Sequence, residues 1–180
     1  VNAAGSIYRM LGYVAGRSLE GLESDNQAAA AGAAFGAFQA ALADYDRRRH
    51  TVPIEHFHEL DEQLRRLDEV LAKPPTERRR SAANEIALAQ RYRKAVAAED
   101  LGPRGMIHGD GKVTNVIFEP GSDRVLAVLD FDTVMWGALS LDFGDLVRSA
   151  AALGAEDDPA VEFSLERYRA LCIGYARGAG

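Results

Sequence analysis

The chain has 180 residues and a mass of 19.5 kDa, enough for one domain of ordinary size or two very small ones, and its 47% hydrophobic and 27% charged residues are the balance of a soluble globular protein rather than a disordered chain. Twenty-seven acidic residues against 21 basic ones leave a net charge of −6, which argues against nucleic acid or an anionic membrane as a partner. The single cysteine, Cys172, excludes a disulfide framework and fits a reducing, cytoplasmic setting, and no apolar run has the length of a membrane span. The first element is SIYRMLGYV, from Ser6 to Val14, a β-prone run closed by Ala15-Gly16. The chain enters it almost directly from Val1-Asn2-Ala3, with no initiator methionine, as if a preceding segment were missing.

Ser24 followed by Gln27 predicts a capped helix start, and Ala31, Phe35, Phe38, Leu42 and Tyr45 continue as one apolar face. Gly32 and Gly36, one turn apart, predict close approach of a neighbouring element. Pro53 interrupts the pattern, and a second helix carries Leu60, Leu64, Leu67 and Leu71 before Pro74-Pro75 stops it. A third helix is expected from about Glu77 to Ala98, with Ile86, Ala89, Tyr92 and Val96 inward and Arg78, Arg79 and Arg80 as a solvated face. Beyond the loop 100–105 the period changes to that of strands. Val113–Phe118 and Arg124–Leu129 flank the turn residues Pro120-Gly121-Ser122-Asp123 and predict a β-hairpin. Helices are expected near Asp142, with Phe143, Leu146, Val147 and Ala150, and from Pro159 to Arg177, with Cys172 as a buried thiol. The fold class is α+β, mostly helical.

The chemistry concentrates in Ile107-His108-Gly109-Asp110-Gly111-Lys112-Val113-Thr114-Asn115 and in Leu129-Asp130-Phe131-Asp132. Transfer of a phosphoryl group needs a carboxylate to take the proton of the attacking hydroxyl, oxygen ligands for magnesium and a cation near the transferred group. Asp110 leads a loop, Lys112 follows it, and Asn115 stands at the start of the hairpin, which would fold Asp130 back beside it. Amide and carboxylate oxygens of this kind suit magnesium rather than zinc. Taken singly, Asp110 and Asn115 read as turn residues and Lys112 as a solvated lysine; the combination is what points to a site. Asp142 reads either as a helix cap or as an anchor for the loop. His50, His56 and His58 lack acidic or cysteine partners at metal-like spacing and read as polar surface or as lining of an acceptor pocket. Met135 and Trp136 read as packing residues or pocket lining, and Arg148 as a helix-surface ion pair.

HGDGKVTNVIF, with the hydrophobic strand VLAVLDFD whose Asp130 stands fifteen residues after Asn115, resembles the aminoglycoside phosphotransferase and choline kinase superfamily, which has a protein-kinase-like fold. Within it, VLDFDTVMWGALSLDFGDLVR and the opening YRMLGYVAGRSLE look most like the N-acetylhexosamine 1-kinase branch. The resemblance implies a kinase using ATP and magnesium to phosphorylate a hydroxyl of a sugar or related small molecule. It implies Asp110 as catalytic base, Lys112 as the charge-neutralising partner, and Asn115, Asp130 and Asp132 as magnesium ligands. It also implies His108 and Asp142 as supports of the loop, and Gly12, Tyr13 and Val14 as the hinge that meets adenine.

A glycine-rich phosphate loop and a strand lysine, which such kinases need, are missing. Residues 1–16 are therefore expected to be a hinge strand from an absent amino-terminal lobe. Residues 17–180 are expected to be the helical carboxy-terminal lobe, carrying the catalytic loop at 107–115 and the metal-binding strand end at 129–132. Two alternatives stand beside this expectation. One is a non-catalytic helical module that forms a homodimer through the face left open, and the other is a metal-dependent hydrolase using Asp110, Asp130 and Asp132.

Overall fold

A computed structural model describes residues 8–49, 54–97, 101–154 and 160–180. The predicted β-prone opening forms no helix or strand over residues 8–15. The first ladder contact instead falls at Arg17, which exchanges both backbone hydrogen bonds with Phe118 at 2.9 Å. A strand needs a partner for its amides, and among the described residues the hairpin edge offers one only at that point.

Helix α1 (Asp25–Ala41) starts where the sequence says: Ser24 Oγ accepts the Gln27 amide at 3.1 Å. The Gln27 side chain reaches back to the Glu23 amide at 2.8 Å, one residue further than in the usual reciprocal box. The next helices are α2 (Leu60–Leu71), the short α3 (Glu77–Ser81) and α4 (Ala83–Ala97). The expected single helix from Glu77 is thus broken at Ala82, next to the Ser81 hydroxyl, which donates to the Arg78 carbonyl. Arg79 is not a solvated residue; its guanidinium donates to the carbonyls of Leu71 (2.9 Å) and Lys73 (2.8 Å) and closes the end of α2. Of the leucine stripe on α2 only Leu64 is buried, and on α4 Ala89 and Tyr92 are exposed rather than inward, with Ile86 half-buried.

Strand β1 (Arg104–Ile107) pairs antiparallel with β4 (Met135–Ala138), a ladder that the sequence does not predict. The predicted hairpin forms as β2 (Val116–Phe118) and β3 (Val125–Val128), with Val116 opposite Val128 and an irregularity at Phe118. Its first predicted residues, Val113–Asn115, wind instead into a single 3₁₀ turn. Helix α5 (Leu139–Ala150) begins three residues before Asp142. A small ladder, β5 (Ala152–Leu153) with β6 (Glu162–Phe163), precedes α6 (Leu165–Ala179), whose start is capped by Ser164 Oγ accepting the Arg167 amide. The last helix therefore begins six residues beyond Pro159, which lies outside the described residues.

The chain divides into two compact units. The first takes the residues up to Ala41, Asp110–Asp130 and Gly144–Gly180, and its core joins Ala28, Ala31 and Phe35 of α1 to Leu171 of α6 and to Val116 and Phe118 of the hairpin. Burying a side chain such as Phe35 contributes about 2–3 kcal/mol. Helices α1 and α6 meet backbone to backbone. A methyl group on Gly32 or Gly36 would overlap the carbonyl of Leu171 or Tyr175, and one on Gly174 or Gly178 would overlap that of Ala29 or Ala33. The glycine pair read as a close-packing device on α1 has a matching pair on α6. Cys172 is half-buried, since Leu171 and Gly174 take the face turned to α1.

The second unit takes Leu42–Gly109 and Phe131–Phe143, with Leu64, Met106, Ile107, Met135 and Ala138 buried. Among the described residues no helix is long and apolar enough to cross a membrane.

Candidate active site

In the first unit the Val113–Asn115 turn is fastened from three directions. The Val113 amide donates to Ser149 Oγ on α5 at 3.0 Å, and Ser18 Oγ donates to the Thr114 carbonyl at 2.7 Å. The Asn115 carbonyl accepts the Leu129 amide at 2.8 Å, which delivers Asp130 to the end of the hairpin beside Asn115. Asn115 is buried, and its Nδ2 donates to the Asp110 carbonyl at 2.8 Å and to Asp110 Oδ2 at 3.1 Å. The amide group is thereby oriented, leaving Asn115 Oδ1 as a hard acceptor oxygen. Lys112 Nζ lies 2.8 Å from Asp110 Oδ2.

The Lys112 ammonium is held above its ordinary pKa, first by the hydrogen bond to Asp110, against some burial, and then by the charges of Asp110, Asp145 and Asp130. Four of the residues singled out in the sequence, Asp110, Lys112, Asn115 and Asp130, are therefore one electrostatic cluster. Asp130 adopts φ +64°, the left-handed region that a non-glycine residue enters at a cost, and such residues collect at functional sites. Asp145, one turn from Asp142 on α5 and paired with Arg148 at 2.6 Å, completes the acidic surroundings of Lys112. It is missed in the sequence reading, although its helical spacing from Asp142 and Ser149 is a usable signal.

In the second unit the backbone before Asp110 is held as tightly. Asp142 is 1% exposed, and its carboxylate accepts the amides of His108 (2.5 Å, Oδ2) and Gly109 (2.8 Å, Oδ1). Between cap and anchor, Asp142 is the anchor, since α5 already starts at Leu139. The His108 carbonyl accepts from Thr133 Oγ1 at 2.9 Å, and the buried His108 ring meets Phe131 edge-on at 5.7 Å. Gly109 has φ +80°, and a side chain there would run into the Thr133 carbonyl. His58 Nε2 lies 2.7 Å from the Gly109 carbonyl oxygen, a contact with no signal in the sequence.

Asp132 also belongs to the second unit, in the exposed turn Phe131–Thr133. Gly12 and Tyr13 are exposed and Val14 half-buried, in a stretch without regular structure. His50 lies outside the described residues. His56 pairs with Glu59, and Trp136 carries the Arg47 guanidinium over its ring at 5.1 Å. Among the described residues no group of three or more histidine, cysteine or acidic side chains is disposed to hold a metal. The donor set at Asn115 and Asp130, an amide and a carboxylate oxygen, is of the kind that magnesium takes.

Three solved structures share this fold. An aminoglycoside-3'-phosphotransferase of type VIII is 23% identical with a TM-score of 0.54, over 92% of this chain and 59% of its own. A choline/ethanolamine kinase family protein from Mesorhizobium loti is 20% identical with a TM-score of 0.53, over 91% of this chain and 48% of its own. A macrolide 2'-phosphotransferase from Brachybacterium faecium is 19% identical with a TM-score of 0.52, over 88% of this chain and 48% of its own. The chain thus spans about half the length of these proteins. The α+β, mainly helical architecture expected from the sequence is that of the carboxy-terminal lobe of kinase-like phosphotransferases. Residues 2–180 match the phosphotransferase enzyme family, and the chain belongs to it.

Proposed function

We propose that the chain is the hinge (residues 1–16) and carboxy-terminal lobe (17–180) of an ATP- and magnesium-dependent small-molecule kinase. The observation that carries this reading is the cluster in which Asn115 and Lys112 both bond the Asp110 carboxylate while the hairpin brings Asp130 alongside. The acceptor is the hydroxyl of a sugar or related small molecule, of the N-acetylhexosamine kind that the sequence motifs favour. A cytoplasmic setting with its supply of ATP goes with the reading.

In this reading the acceptor hydroxyl passes its proton to Asp110 as its oxygen bonds to the γ-phosphorus. The bond from phosphorus to the β–γ bridging oxygen breaks, and its electron pair leaves with ADP. Lys112 neutralises charge on the group in transfer. Asn115, Asp130 and, by the sequence resemblance, Asp132 would hold magnesium, which when bound offsets the charge of the β- and γ-phosphates. Gly12, Tyr13 and Val14 meet the adenine. His108 and Asp142 keep the loop in place.

The test is ADP release by the polypeptide that the intact gene encodes, with ATP, magnesium and a panel of N-acetylhexosamines, hexoses, aminoglycosides and amino alcohols. One or more acceptors should turn over, and Asp110→Asn should lower kcat by roughly 10²–10⁴-fold, the scale of a general base, with an unchanged unfolding midpoint. Undiminished turnover in that variant overturns the assignment of the base.

A second reading, a self-associating module without catalysis, is favoured by one observation: Tyr8, Met10, Leu11 and Tyr13 form an apolar run between 73% and 97% exposed. Sedimentation and ATP calorimetry on the 180-residue chain separate the two. A homodimer without nucleotide binding supports the module, and tight binding of magnesium-ATP contradicts it.

A further inference from the structure

We infer that His58 is a positioning residue for Asp110, acting through the Gly109 carbonyl. This rests on the reading of Asp110 as the base, and its support lies within the second unit.

The dipeptide His108-Gly109 has two amides and two carbonyls to satisfy. Asp142 takes both amides, and Thr133 Oγ1 donates to the His108 carbonyl. The remaining group, the Gly109 carbonyl, receives His58 Nε2 at 2.7 Å. A carbonyl oxygen only accepts, so Nε2 carries the hydrogen and donates it. The Gly109 carbonyl and the Asp110 amide belong to one planar peptide unit. Fixing the carbonyl direction therefore fixes the direction in which the chain leaves for the Asp110 Cα. Gly109 needs such a hold more than most residues: at φ +80° it has no side chain, and glycine backbones have the widest freedom to lose.

His58 is well placed to supply it. It ends the turn that runs into α2, its ring packs edge-on against Phe57 with centroids 4.6 Å apart, and it is half-buried. The bond spans 51 residues of sequence, so it ties the segment before α2 to the catalytic loop. A histidine reaching the reacting hydroxyl would be a proton carrier; one whose Nε2–H is committed to a backbone carbonyl sets geometry instead.

The experiment compares His58→Ala and His58→Gln with the parent in the intact gene product, by steady-state kinetics and by amide hydrogen exchange. Glutamine places an N–H donor near the Nε2 position, so His58→Gln should keep turnover within a few-fold. His58→Ala should lower kcat about tenfold or more, towards the ~10²-fold that an ångström of misplacement costs, with the KM values for ATP and acceptor little changed. Exchange at the Asp110 amide should quicken in His58→Ala and not in His58→Gln. Equal loss in both variants, a change confined to KM, or unaltered exchange in His58→Ala overturns the inference. If the parent shows no turnover with any acceptor, the kinase reading fails, and the exchange arm still decides whether His58 holds the loop.

Discussion

Lys112 Nζ sits 2.8 Å from Asp110 Oδ2, so the cation and the carboxylate to which the kinase reading gives separate tasks face each other directly. Their side chains are 36% and 24% exposed, which limits the pair to about 1 kcal/mol of stability or less. Lys112→Met should therefore leave the unfolding midpoint nearly unchanged while lowering turnover by roughly 10²–10³-fold, the scale of one lost charge-stabilising donor. The pH dependence has a definite sign. Because Asp110 raises the Lys112 pKa above 10.5, the pair's contribution is present below that pH and is lost as pH rises through the raised value. Lys112→Met should lack that alkaline loss, and urea unfolding of both proteins between pH 9 and 12 checks it.

Asp142 carries more stability than its surface counterparts. Removing its carboxylate strands two buried amides, at about 1–3 kcal/mol each. Asp142→Ala should destabilise by roughly 2–5 kcal/mol, read from the urea midpoint at constant slope. A loss below 1 kcal/mol would show that water or a relaxed loop replaces the carboxylate.

The α1–α6 contact makes glycine-to-alanine changes differ in sign along the chain. In an open helical position alanine gains about 1 kcal/mol over glycine, and Gly144 on α5 has nothing near the place a methyl would occupy. Gly144→Ala should raise the melting temperature. Gly174→Ala should lower it, because the methyl would enter the backbone of Ala29 and force the helices apart, at about 1–3 kcal/mol or more. Equal shifts in the two variants would contradict the helix contact.

What was legible in the sequence was what neighbours in sequence decide. Ser24 and Gln27 lie three residues apart and mark the start of α1; Pro120 to Asp123 can only turn, so β2 and β3 find each other. Asp110, Lys112 and Asn115 come from one loop, and the short hairpin brings Asp130 to it. The β1–β4 ladder escaped because its strands are four residues long, carry glycines and pair across about thirty residues. The break at Ala82 has no proline or glycine to announce it. Ser149 and His58 act through backbone atoms of distant residues, and a hydrogen bond to a peptide group leaves no pattern in side-chain types. Asp142 was readable as important but not as an anchor, since the two roles differ only in where α5 begins.

Asp130 offers a test in which stability and function move in opposite directions. At φ +64° an aspartate is strained by about 1–2 kcal/mol relative to a residue without Cβ, and glycine is at home there. Leu129, immediately before it, is tied by its amide to the Asn115 carbonyl at 2.8 Å, so the hairpin end is fixed and the strain is not relieved by a shift of the chain. Asp130→Gly should accordingly hold the fold or stabilise it by up to about 1 kcal/mol, after allowance for the extra freedom of glycine in the unfolded chain. The same change removes a carboxylate oxygen from beside Asn115 and one negative charge acting on Lys112. Binding of manganese, used as a paramagnetic stand-in for magnesium, should weaken at least tenfold, and turnover should fall with it. A variant that is both less stable and unimpaired in cation binding would mean that Asp130 is a structural turn residue, held in the left-handed region by its own hydrogen bonds rather than for a ligand.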